Sequence, residues 1–97
     1  MDELTFNTRD QFRRWLEHHH KQDEGIWLVY FKKNTGMPSI RYDEAVEEAL
    51  CYGWIDSKVQ TIDKLRYKQI FTPRRPNSVW SELNKKRVKM LTEAGLM

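Results

Sequence analysis

The stiff bend Pro73-Arg74-Arg75-Pro76 carries two arginines that are well suited to hold an anion. Behind it, Asn77 or Ser78 is placed to cap a helix through Val79, Leu83, Met90 and Leu91, and a helix start offers unpaired amides and partial positive charge. Ser78 and Ser81 add hydroxyls, Thr72 precedes the bend, and Arg74 and Arg75 bring forked cations that match phosphate or carboxylate. The bland account is that Ser78 only caps the helix while the arginines are solvated or ion-paired.

A second group lies just upstream, in Gly53-Trp54-Ile55-Asp56. A carboxylate between Trp54, Ile55 and Lys58 can be partly desolvated, and could serve as a base or as an anchor for Arg74. With no second acid or metal partner, a structural ion pair is the plainer role. Trp54 and Trp80 could stack on a planar ligand or base, although tryptophans in so small a domain usually fill the core. Cys51 has no histidine near it in sequence, so it reads as a small buried residue rather than a nucleophile. Neighbouring side chains of a helix point about 100° apart, so His18, His19 and His20 cannot converge on one metal. They read instead as cations near a helix C-terminus. No metal and no cofactor is expected.

These residues need elements to position them. Thr8-Arg9-Asp10-Gln11 matches a capping box, and Phe12, Trp15, Leu16 and His19 follow at helical spacing, predicting a helix from Arg9 to His20. Gly25 to Lys33 alternates apolar residues on both faces, as an interior strand does. The stretch Asn34 to Ser39 has turn chemistry. Helical spacing resumes from Tyr42 or Asp43 through Leu50, with Asp43, Glu44, Glu47 and Glu48 on the outer side and Gly53 as the stop. Trp54 to Ile62 and Leu65 to Pro73 read as a hairpin turning at Asp63-Lys64. A two-residue loop would set Asp56 opposite Phe71, Lys58 opposite Gln69 and Gln60 opposite Tyr67, unless a bulge shifts the pairing. The predicted fold is α+β: a three-stranded antiparallel sheet packed by three helices, in the order α-β-α-β-β-α.

The chain has 97 residues, which is one domain, 1–97. With 39% hydrophobic, 32% charged and 12% aromatic residues it belongs among globular rather than disordered chains. Charge is divided unevenly. Met1 to Gly53 holds seven Lys/Arg against ten Asp/Glu, a balance of −3, and Trp54 to Met97 holds ten against four, a balance of +6. Such a half attracts phosphates, anionic metabolites, nucleic acid or acidic peptide groups, or is simply a solvated face. One cysteine fits a reducing compartment, and no apolar run is long enough for a membrane span, so a cytoplasmic protein without membrane insertion is expected.

The runs EAVEEALCYGWID, FTPR and SVWS, with AGLM at the end, resemble the YdeI/OmpD-associated family of bacterial proteins, also called bacteriocin-protection proteins. That resemblance implies an α+β domain linked to stress and antimicrobial-peptide resistance, with no defined catalytic role. It also implies a chain shorter than many relatives, and a shared pocket of Gly53, Trp54, Asp56, Thr72, Arg74, Trp80 and Ser81. The sequence thus points to a noncatalytic protein binding an anionic small molecule or acidic peptide. The alternatives are a nucleic-acid-binding module using Lys85, Lys86 and Arg87, and an enzyme built on Asp56 and Arg74.

Overall fold

The structure, a computed structural model, describes residues 1–74 and 82–96. The first helix, α1 (Arg9–His19), starts as its capping residues dictate: Thr8 Oγ1 accepts from the Gln11 amide at 3.3 Å. Gln11 reaches back one residue beyond the expected box, its Oε1 accepting from the Asn7 amide at 2.7 Å. Phe12 and Leu16 are fully buried and Trp15 half-buried, which places one stripe of α1 on the core. His19 and His20 each set a ring Nδ1 within 2.8 Å of the carbonyl four residues back, at Trp15 and Leu16, so they fasten the helix end.

The sheet differs from the three-stranded antiparallel arrangement expected from sequence. Among the described residues it has four strands and is mixed, with β1 (Glu3–Thr5), β2 (Ile26–Phe31), β3 (Trp54–Thr61) and β4 (Arg66–Pro73) in the spatial order β1-β2-β4-β3. The added strand, β1, runs parallel to β2 through Glu3↔Trp27, Leu4↔Leu28 and Thr5↔Val29. Its polar-apolar-polar run of three residues is too short to mark a strand, and a parallel partner lies beyond a crossover, so no local pattern announced it. β2 is interior as expected. Ile26, Leu28, Val29 and Tyr30 are buried, while Trp27 and Phe31 are half-buried.

The hairpin keeps Asp56↔Phe71 but slips by one residue at a bulge between Asp56 and Val59, after which Val59 faces Gln69 and Gln60 faces Lys68. Lys58 opposite Gln69 and Gln60 opposite Tyr67 are therefore not the pairs formed. At the turn, Asp63 Oδ1 accepts from the amides of both Leu65 and Arg66 at 2.8 Å. Trp54, Phe71, Ile26, Leu28 and Tyr30 share the face that meets the helices and join Phe12, Leu16, Val46, Ala49, Leu50 and Leu91 in one core.

The second helix, α2 (Tyr42–Cys51), opens with Glu44 Oε1 accepting from the Arg41 amide at 3.1 Å. Past its end Gly53 holds φ +75°, the left-handed conformation that glycine enters without a Cβ clash, and the chain turns directly into β3. The third helix, α3 (Glu82–Glu93), touches the core through Asn84, Val88 and Leu91, an i, i+4, i+7 stripe. Leu83 and Met90 lie off that stripe and are exposed. The expected cap at Asn77 or Ser78 falls outside the described residues. Among the described residues, no helix is long and apolar enough to cross a membrane.

Candidate functional site

The residues proposed from sequence are only partly brought together. Gly53 is the turn between α2 and β3, and its carbonyl accepts from the Arg74 amide at 2.8 Å. Arg74 is half-buried there, with Thr72, also half-buried, two residues upstream on β4. The register then separates Arg74 from Asp56 by three residues along β3, roughly 10 Å at about 3.3 Å per residue. Trp54 is a core residue with no exposed surface; its Nε1 donates to the His20 carbonyl at 2.9 Å and its ring meets Trp15 edge-on at 5.7 Å. Arg75, Ser78, Trp80 and Ser81 lie outside the described residues.

Asp56 takes neutral partners instead of Arg74. Its Oδ2 accepts from the Tyr42 hydroxyl at 3.0 Å and from the Gln69 amide at 3.1 Å. Gln69, 2% exposed, receives the hydroxyl of buried Tyr30 on its Oε1 at 3.0 Å. A hydrogen-bonded chain therefore runs Tyr30–Gln69–Asp56–Tyr42 from the core to the surface. Burial pushes the Tyr42 phenol above its ordinary pKa; the Asp56 charge adds to this and the Arg87 charge opposes it. The Arg87 guanidinium sits 5.7 Å from the centre of the Tyr42 ring and donates to Asn84 Oδ1 at 3.0 Å.

The surface end of this chain opens on a groove of about 600 Å³. Its aromatic walls are Phe31, Tyr42 and Tyr67, and Lys32, Lys33 and Arg41 stand beside them with Asp43 as the carboxylate. Tyr67 is half-buried and stacks on Tyr30 at 4.8 Å with 22° between the ring planes. Lys32 and Lys33 follow directly on β2, which ends at Phe31, and Arg41 directly precedes α2. Sequence reasoning missed this groove because Tyr42, Tyr67 and Lys33 belong to three separate elements. The nearest local signal was the turn-rich Asn34 to Ser39 stretch.

A second carboxylate is buried between α1 and α2. Glu48, expected on the outer side of α2, has its side chain only 4% exposed. Its Oε2 accepts from Arg9 Nε at 2.9 Å and Nη2 at 2.6 Å, and its Oε1 accepts from Arg13 Nη1 at 2.8 Å. Arg9 also reaches Glu47 at 3.2 Å. Burial opposes the Arg9 charge, but the hydrogen bonds to Glu48 and Glu47 outweigh it and hold that guanidinium above its ordinary pKa. Cys51, one turn along α2, is half-buried, and burial pushes its thiol up with Glu48 adding to the effect, the reverse of what a thiolate nucleophile requires. Among the described residues no group of His, Cys, Asp and Glu is arranged to hold a metal ion.

The fold and groove define a small α+β domain with an aromatic, cation-flanked cleft at one end of a mixed sheet. Residues 4–97 match the family described as Domain of unknown function (DUF8412), and the chain belongs to that family. No curated protein and no solved structure matches it.

Proposed function

We propose that this protein is a noncatalytic binder of an anionic small molecule or acidic peptide group, and that the groove flanked by Lys32, Lys33 and Arg41 is where it binds. The observation that carries this reading is that, among the described residues, three cationic residues and one carboxylate, Asp43, line a cleft of about 600 Å³. That size falls in the range of roughly 300–1,000 Å³ typical of small-molecule sites. Cations grouped in a cleft attract an anion more strongly than the same charges spread over open surface. The resemblance to YdeI/OmpD-associated proteins supports a setting in bacterial stress or antimicrobial-peptide protection.

A thermal-shift screen of inorganic phosphate, phosphorylated metabolites and short acidic peptides checks this. A ligand at about 100 times its Kd stabilises the folded state by about 2.7 kcal/mol. The Arg41→Ala variant is expected to unfold at the wild-type temperature without ligand and to lose most of the ligand-induced shift. A screen in which no anion raises the melting temperature sinks the reading, as does a shift that survives Arg41→Ala combined with Lys33→Ala.

A further inference from the structure

We propose that the anion taken by this groove carries a planar ring, as a purine mononucleotide does, and that the ring packs on the walls formed by Tyr42 and Tyr67. This rests on the anion-binding reading and adds the chemical class of the ligand.

The argument comes from what stands behind the two walls. Tyr67 is backed by Tyr30, stacked at 4.8 Å, and the Tyr30 hydroxyl is fixed on Gln69 at 3.0 Å. Tyr42 is tied through its hydroxyl to Asp56 at 3.0 Å, and Asp56 is tied in turn to Gln69 at 3.1 Å. The Asp56–Gln69 pair thus holds Tyr42 directly and backs Tyr67 through Tyr30. An aromatic wall held this way has already lost its rotamer freedom, so a flat partner binds without the cost of ordering it. Tyr42 is 40% exposed, a large aromatic surface at the mouth of a cleft lined by three cations. A compact anion such as sulfate satisfies the cations and leaves that surface wet. A planar ring bearing a phosphate satisfies the cations and covers the surface. At about 600 Å³ the cleft accommodates one such molecule.

The test is isothermal titration of adenosine monophosphate, adenosine and inorganic phosphate against wild type, Tyr67→Leu and Tyr67→Phe, with thermal unfolding of each ligand-free protein as the control for folding. The monophosphate is expected to bind more tightly than either fragment. Tyr67→Leu should weaken it by about tenfold or more, the effect of removing one stacking platform, while Tyr67→Phe, which keeps the ring, stays within about twofold. Phosphate binding should not respond to Tyr67→Leu. If phosphate binds as tightly as the nucleotide, or Tyr67→Leu leaves the nucleotide unaffected, the ring is overturned while the anion site stands. If none of the three binds and the anion screen is also blank, both readings fall. A single-stranded oligonucleotide that binds far more tightly than the monophosphate, with steep salt dependence, overturns the single-molecule ligand in favour of nucleic acid.

Discussion

Glu48 and Asp56 are both carboxylates held by residues distant in sequence, but one is locked between helices and the other leads to a cleft. Glu48 is nearly sealed from solvent and receives three hydrogen bonds from two guanidiniums, so most of its roughly four acceptor positions are used and its charge is matched. Asp56 is half-buried and receives a phenol and an amide, both neutral. The first arrangement joins α1 to α2 and has little left to offer a ligand. The second transmits position outward, through Tyr42, to the walls of the groove. Burial alone therefore does not mark a functional acid; the charge of its partners and the direction of the network do.

Removing the Glu48 charge is the harshest test of this contrast. Breaking one side of a buried ion pair costs about 3–5 kcal/mol when both partners are deeply buried. Arg9 and Arg13 keep 36% and 31% of their side-chain surface exposed and can rehydrate in part. Glu48→Gln is therefore expected to lower stability by about 2–3 kcal/mol in urea unfolding, without changing anion binding. A loss of anion affinity matching the loss of stability would show that the two regions are not separate.

Gln69→Leu should come next, at about 1–2 kcal/mol, since it leaves the Tyr30 hydroxyl and an Asp56 oxygen without their amide. Unlike the Glu48 change, it should also weaken ligand binding in the groove, because both tyrosine walls lose their common brace. Equal affinity in wild type and Gln69→Leu would remove the link between network and cleft.

The smallest effect on stability is expected from Asp56→Asn, below about 1 kcal/mol, because its partners are neutral and remain able to pair. Its signature is in the alkaline range. Burial first, and Asp56 second, hold the folded Tyr42 phenol above its ordinary value of 10.0. A group with a raised folded pKa contributes stability that is complete below the unfolded value and is lost as pH rises through the folded one. Asp56→Asn takes away the charge contribution, so Tyr42 should titrate nearer to pH 10.0 and stability should fall less steeply above it. Ultraviolet tyrosinate titration, with Tyr42→Phe to assign the signal, reads this directly. An unmoved titration would mean that Asp56 does not govern the phenol.

Much of the fold was legible from local pattern. The Thr8 cap, the Phe12–Leu16 stripe, the Gly53 stop and the two hairpin strands each show in residue types and spacing within one short segment. β1 was not legible, because three alternating residues are too few to mark a strand. The bulge after Asp56 was foreseeable as a risk but not as a position, since register depends on which side chains meet the helices. Of the candidate site, Asp56 entered a network through Gln69 and Tyr42, two residues with no mark of their own in the sequence. Arg74 was drawn instead to the Gly53 carbonyl by the pairing of β4 with the start of β3.

By itself the sequence determined where helices and strands begin and end over most of the described chain, because caps, turns and apolar spacing act within a turn or a strand. It also determined that the second half is basic. Only the tertiary structure decided which acid is buried and which cations share a cleft. Glu48 meets Arg9 and Arg13 across 39 and 35 positions, and Asp56 meets Tyr42 and Gln69 across 14 and 13. Partners so far apart are chosen by the packing of helices on the sheet, which brings together side chains that no local pattern connects.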